Sequence, residues 1–447
     1  MRLTVIGTGY VGTVHAACMA DLGHEVLGVD IDAERIASLS AGRPPIHETG
    51  LEEILTRTMA LGRLRFSSSL AEGAAFATTH FVCVGTPQRP DSKAADLRFV
   101  NAVVDGLAPH LRPGSLIVGK STVPVGTAAR LGRRLAATGT DCEVAWNPEF
   151  LREGSAVQDT MCPERLVVGV SSERADTVLR TVYGPMLQAG IPYFSTDPAT
   201  AELVKVAANS FLATKISFIN AMSEVCEAAG ADASLLAGAV GADSRIGPQF
   251  LEPGLGFGGS CFPKDIRAFA ARAEELGAGA AVAFLYEVDR INTRQRRRTV
   301  DLARRILGGT VADRHIGVLG AAFKPGSDDV RDSPALAVAQ ALRDGGAAVR
   351  VHDPEALDNA RSAHPDLAYA LDVPKACEDA DLVLHLTAWP EYRHLDPADL
   401  ATVTRQPLLL DARNVLDEPT WQAAGWTVHA LGRAKAPATG LVRGEPS

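Results

Sequence analysis

Paired cysteine motifs are missing from this chain. Its seven cysteines, Cys18, Cys83, Cys142, Cys162, Cys226, Cys261 and Cys377, are scattered, with no Cys-x-x-Cys among them. That spacing excludes a zinc ribbon and a disulfide framework, so no metal site is expected and a reducing, cytoplasmic location is. Any uncharged apolar stretch long enough to cross a bilayer is missing as well, so no membrane partner is expected. Excess positive charge is also lacking. The 447 residues carry a formal net charge of −9, which argues against nucleic acid as a main partner. Local basic pockets for an anionic substrate stay open. No leader is expected either, because "MRLTVIGTGYVG" favours the start of a fold over a cleaved signal.

What is present suits two or three folded domains, with 46% hydrophobic residues for their cores. The run "LTVIGTGYVGTVHAACMADLGHEVLGVDID" reads as strand, glycine-rich turn, helix and strand. Leu3–Ile6 is continuously apolar, as in a parallel strand buried on both faces. Further short strands at "THFVCVGTP", "SLIVGKSTVP", "CEVAWNPEF" and "RLVVGV" alternate with helices. The expectation is an α/β fold that starts with a Rossmann-type doubly wound sheet over 1–198. Over 199–310 helical periodicity takes over, with a long connecting helix. Strand–helix alternation restarts at His315, so a second Rossmann-like α/β domain is expected over 311–433. It repeats the architecture without the paired glycines. The Ala/Pro/Gly-rich residues 434–447 read as a flexible tail.

Gly7, Gly9 and Gly12, with Tyr10 and Val11 between them, form a Gly-x-Gly-x-x-Gly turn from strand to helix. The first glycine makes the turn, the second admits a pyrophosphate, and the third lets helix and strand pack closely. Asp30 ends the next strand, where an acid accepts both ribose hydroxyls and repels a 2′-phosphate, so the expected cofactor is NAD. Arg35 follows closely and keeps dual coenzyme use open. Thr86 in "VGTP" and Ser121 and Thr122 in "KSTVP" sit at strand ends, either as ligand contacts or as turn chemistry. Glu149 and Glu153 in "NPEFLREG" are either solvated carboxylates or groups that orient water or act as a base. Lys205 and Asn209 share a helix face at i, i+4. A lysine there either snorkels or stabilises an oxyanion in a dry site.

The stretch "PGLGFGGSCFPKD" sets Cys261 after a glycine cluster, with Lys264 and Asp265 within one helical turn. Cysteine alone reads as a small buried hydrophobe. Nearby cations favour a thiolate, and a neighbouring carboxylate supplies a base. With an NAD domain upstream, such a thiol suits oxidation of an alcohol through an aldehyde to a thioester, and then to an acid.

Eight segments in order, "GTGYVG", "VGTP", "KSTVPVGT", "NPEFLREG", "ELVKVAANSFLATKISFINAMSE", "SRIGPQFLEPGLGFGGSCFPKD", "FKPGSDDVRDSP" and "DARN", resemble the UDP-glucose/GDP-mannose dehydrogenase family. The resemblance spans Arg2 to Asp417 and is nearest to the UDP-glucose branch. It implies four-electron oxidation of UDP-glucose to UDP-glucuronate with NAD, in an enzyme with a helical dimerisation region and a C-terminal nucleotide-sugar domain. By motif match, Cys261 would be the nucleophile, Lys205 and Asp265 its helpers, and Asn209 a holder of the sugar hydroxyl and oxyanion. Thr122 and Glu149 would act around the water. Glu153 and Lys264 would lie near the coenzyme, and Arg331 at its pyrophosphate. Phe150, Leu151, Phe250, Leu251 and Gly258 would line the substrate groove, with Lys324 and Arg413 reaching the substrate. Arg245 in "SRIG" would come from the neighbouring subunit of a homodimer. The alternatives are GDP-mannose or another UDP-sugar, although Ser260 departs from the "GGHC" form of the N-acetylmannosamine branch. Remoter ones are a single-step hydroxyacid-type dehydrogenase and a non-catalytic NAD-binding regulator.

Overall fold

The unbroken apolar run near the N-terminus becomes β1, Arg2–Ile6, with every residue after Arg2 buried. The computed structural model describes residues 1–433, and the tail expected over 434–447 lies outside them. By packing, the chain divides into two units, Met1–Asn209 with Lys264–Val282, and Ser210–Pro263 with Ala283 onward.

In the first unit β1 is followed by helix α1, Tyr10–Asp21, and by β2, Glu25–Val29. Then come β3 (Leu64–Ser67), β4 (Thr79–Val82), β5 (Ser115–Gly119), β6 (Cys142–Trp146), β7 (Leu166–Gly169) and β8 (Tyr193–Thr196). The sheet order is β3-β2-β1-β4-β5-β6-β7-β8. The first six strands are parallel and doubly wound, with the order reversing between β1 and β4. Strand β7 departs from the expected pattern by running antiparallel to β6. The connection between them holds only the short helix Ala156–Met161, so the chain turns back along the sheet instead of crossing over it. Strands β3 and β8 escaped the sequence reading because neither is a fully apolar run. The close approach of α1 to β1 depends on Gly12, where an added Cβ would lie 1.8 Å from the Gly7 carbonyl oxygen.

Helix α2, Pro198–Ala229, carries the chain out of the first unit, and helix α3 spans Phe262–Glu275. The second unit contains helix α4, Phe284–Ile306, which buries Leu285, Val288, Asn292, Val300 and Ala303 at helical spacing. It then forms β9 (His315–Leu319), β10 (Ala348–His352), β11 (Ala368–Tyr369), β12 (Leu382–His385), β13 (Leu408–Asp411) and β14 (Thr427–Ala430). Its sheet is wholly parallel, with order β11-β10-β9-β12-β13-β14, the same winding as the first six strands of the other sheet. The echo reaches single hydrogen bonds. Gly7 N donates to Val29 O and Gly320 N to His352 O, each at 2.8 Å. Asp353 stands where Asp30 stands in the first sheet, and it accepts from the Ala321 and Ala322 amides and from Trp389 Nε1. Those bonds make it a lock for its own turn.

Candidate active site

The expected site residues are divided between the two units. In the first, the start of α1 lacks any side-chain cap, because Gly9 occupies the N-cap position. Its leading amides therefore have no side-chain acceptor, and a Cβ placed on Gly9 would find no atom within 4 Å. Uncapped amides beside open space fit the phosphates of a dinucleotide. Asp30 Oδ2 accepts from Thr8 N at 2.8 Å and from Arg35 Nη1 at 3.0 Å. Burial works against its charge, but the Asp32 and Thr8 amides and Arg35 outweigh it and hold the carboxyl below its ordinary range. Tyr10 turns its phenol to Glu48, and the Gly154 amide donates to both. Glu153 lies near enough for its charge to act on that phenol, and Val11 is partly buried on α1.

The strand-end loops are stitched together. Thr86 Oγ1 donates to the Thr122 carbonyl at 2.7 Å, and Ser121 Oγ to the Val84 carbonyl at 2.6 Å. Thr86 and Thr122 line one cleft with Gln88, Val206, Lys264 and Asp265. Three residues read as coenzyme contacts, Thr86, Thr122 and Lys264, thus share one wall with the carboxylate read as catalytic.

Two polar clusters arise from α2. Lys205 is 4% exposed and does not snorkel. Its Nζ lies 3.2 Å from Glu149 Oε1 and 5.6 Å from the Phe150 ring centre. The other Glu149 oxygen accepts from Leu151 N at 2.7 Å. One turn on, Asn209 Nδ2 donates to Asp265 Oδ2 at 2.7 Å, and Lys264 Nζ lies 2.5 Å from Asp265 Oδ1. Asp265 is 2% exposed, so both its oxygens are fixed in a dry setting. A buried lysine can steady a developing oxyanion, and a held carboxylate can orient water or take a proton.

In the second unit, Cys261 is half-buried at the end of the glycine loop, with its Sγ 3.5 Å from Ser260 Oγ. The described cysteines form no disulfide. The glycines before it have a packing reason. A Cβ on Gly258 would meet the Asp332 carbonyl oxygen at 2.2 Å. Gly259 has φ +84°, and its Cβ would lie 2.6 Å from the Phe323 ring. The loop is clamped by Asn292, which pairs with both the amide and the carbonyl of Phe257. Arg413 donates to the Gly256 carbonyl at 2.9 Å and to the Leu386 carbonyl at 2.6 Å. Burial lowers the Arg413 pKa to about 10, and its Nη2 has no protein partner among the described residues. Leu251 packs into a small core with Ile219, while Phe250 holds the left-handed backbone region at φ 65°. Lys324 lies over the Phe323 ring. Arg331 and Arg245 are mostly exposed and grip Asp329 and Asp243 respectively, each with two guanidinium nitrogens.

Sequence reasoning missed Glu48, Lys120 and Asn147. Glu48 caps the Ala156–Met161 helix through the Ala156 amide. No local pattern marks a cap that lies 108 residues away in the chain. Asn147 was within reach, since it opens "NPEFLREG". Among the described residues there is no cluster of three or more His, Cys, Asp or Glu suited to a metal, and no helix is long and apolar enough to cross a membrane.

Similarity to known proteins runs along most of the chain. Models of the UDP-glucose/GDP-mannose dehydrogenase family match residues 1–187 as its NAD binding domain, 199–294 as its central domain and 317–418 as its UDP binding domain. The chain is similar to a UDP-glucose 6-dehydrogenase of Rhizobium meliloti, with 40% identity over 97% of this chain and 100% of the relative. Among solved structures it is similar to a UDP-glucose dehydrogenase from Pyrobaculum islandicum, with TM-score 0.87 and 41% identity, covering 95% of this chain and 98% of the other. A UDP-D-ManNAc dehydrogenase from Pyrococcus horikoshii gives TM-score 0.86 at 26% identity, covering 98% and 100%.

Proposed function

The chain belongs to the UDP-glucose/GDP-mannose dehydrogenase family, and on that premise we propose that it is an NAD-dependent UDP-glucose 6-dehydrogenase producing UDP-glucuronate. The observation that carries this reading is full-length similarity at about 40% identity to proteins of that activity, joined to the buried Lys205–Glu149 and Asn209–Asp265 pairs. NAD, when bound, would supply the hydride acceptor for each of two oxidations. The residues that would hold it are the turn of Gly7 and Gly9 at the phosphates, with Gly12 letting α1 pack close behind it, Asp30 at the ribose, and Thr86, Thr122 and Lys264 along the cleft.

The rest of the chemistry falls to the chain's own side chains. Cys261 adds its sulfur to the aldehyde carbon and ends as a thioester on the substrate carbonyl. Lys205 is assigned to the oxygen that becomes negative, with Asn209 as its second holder. Asp265, Thr122 and Glu149 hold the water that releases the acid and returns the thiol. Arg413 offers its remaining Nη2 donor to the substrate, and Lys324 supplies a second positive charge from the same unit. Removing four electrons from an alcohol requires two coenzymes. Limiting UDP-glucose is therefore expected to yield two NADH per UDP-glucuronate with no aldehyde released, measured by absorbance and product chromatography. One NADH with a carbonyl product would overturn the two-step reading in favour of a single-step dehydrogenase.

Coenzyme choice is assigned to Asp30. Its carboxylate accepts from ribose hydroxyls, and losing it would leave Arg35, now paired with it, to meet a 2′-phosphate. A charge-assisted bond of this kind contributes about 1.5–3 kcal/mol. Asp30→Ala should thus lower the ratio of kcat/KM for NAD over NADP by about tenfold or more. Equal efficiencies with both coenzymes in the parent enzyme would remove Asp30 from this role.

The active form is proposed to be a homodimer built on α2. Phe211, Phe218 and Val225 are 67%, 48% and 57% exposed and recur every seven residues, the spacing of a helix seam awaiting a partner. Arg245 would then serve the neighbouring subunit's site.

A further inference from the structure

Lys120 has no part in the roles assigned above, yet it is 7% exposed, directly after β5 and two residues before Thr122. Its Nζ donates to Asn147 Oδ1 at 2.9 Å. The Tyr183 hydroxyl reaches the same oxygen at 2.5 Å, and Asn147 Nδ2 donates to the Val167 carbonyl at 2.8 Å. The Asn147 amide is bonded to the Gly119 carbonyl at 2.8 Å. Asn147, two residues before Glu149, is thus held at its amide, its oxygen and its side-chain nitrogen.

Packing alone does not call for an ammonium here, because an apolar chain of similar length fills a dry site without the desolvation cost. The charge at this position therefore points to an electrostatic role. Burial pushes the Lys120 pKa down to about 8, while Cys83 and Glu149 act in the opposite sense and Lys205 adds to the lowering. Burial pushes the Cys83 thiol up to about 12, so it stays neutral. His15, whose pKa burial and then Lys120 lower, is neutral too. That leaves Glu149 as the carboxylate that acts on Lys120.

We propose that Lys120 is a positioning residue, which ties the segment carrying Thr122 to the segment carrying Glu149 and adds to Lys205 a second positive charge acting on that carboxylate. The inference rests on the reading of Glu149 as a working group in UDP-glucose oxidation. Its test is a double-mutant cycle with Lys120→Met and Glu149→Gln. At saturating UDP-glucose and NAD, Lys120→Met is expected to lower kcat about 30-fold in the parent background and less than about threefold in Glu149→Gln, with the NAD dissociation constant within about twofold. An equal loss in both backgrounds, or a loss carried by KM alone, would overturn the proposal. Melting temperatures of the four proteins form a second cycle that needs no substrate, and additive shifts there would overturn it as well. Should Lys120→Met not fold, Lys120→Gln keeps a donor for Asn147 without the charge and enters the same two cycles. A parent enzyme inactive on UDP-glucose would count against the activity reading, while additivity would count against Lys120.

Discussion

Cys261→Ala is expected to bind NAD and UDP-glucose at close to parental affinity and to form essentially no UDP-glucuronate. The substitution removes the sulfur and leaves the coenzyme turn, the Lys205–Glu149 pair and the Asn209–Asp265 pair in place. The loop backbone should also survive, because it is set by Gly258, Gly259 and the Asn292 clamp rather than by the thiol. Without the nucleophile the aldehyde has no covalent hold through the second oxidation. Cys261→Ser would be similarly crippled. It should slowly accumulate an ester adduct, since an oxygen ester hydrolyses less readily than a thioester. Intact-protein mass spectrometry after incubation with UDP-glucose and NAD, beside a product assay, reads both variants. Turnover of Cys261→Ala within about tenfold of the parent, a barrier change of about 1.4 kcal/mol, would make the cysteine a packing residue.

Mixing two inactive or weakened proteins should restore activity. In a single chain the Arg245 side chain is 86% exposed, with Asp243 as its ion-pair partner. If it serves the other subunit, Arg245→Ala loses a charge-assisted contact of about 1.5–3 kcal/mol, and KM for UDP-glucose rises about 10- to 100-fold. A mixed dimer with Cys261→Ala then contains one site with both the thiol and the arginine. With random exchange half of the dimers are mixed and each has one of two sites working, so an equal mixture should recover about a quarter of parental activity at low UDP-glucose. No recovery after subunit exchange has been verified by labelled mass analysis would place Arg245 in its own chain's site.

Much of this protein was legible in its sequence because the relevant signals are local. An apolar run ending in Gly-x-Gly-x-x-Gly can bury itself only as a parallel strand leading into a helix, and β1 and α1 follow from that. Helical periodicity foretold α2 and α4. A cysteine after a glycine cluster, with a lysine and an aspartate within one helical turn, marks the chemistry in the sequence itself. The pairings were a tertiary matter. Glu149 follows β6 and Lys205 sits on α2, and no periodicity states that a strand end and a helix face 56 residues on will meet at 3.2 Å. The same holds for Asn209 with Asp265 and for Lys120 with Asn147. Hydrogen-bond partners are chosen by strand order and by which helix covers which strand end, and that order is set by burial of the whole sheet. The reversal of β7 and the packing role of Gly258 were decided at that level too. The residue types thus determined the kind of chemistry available, while the fold decided which charges are buried together and are held still enough to perform it.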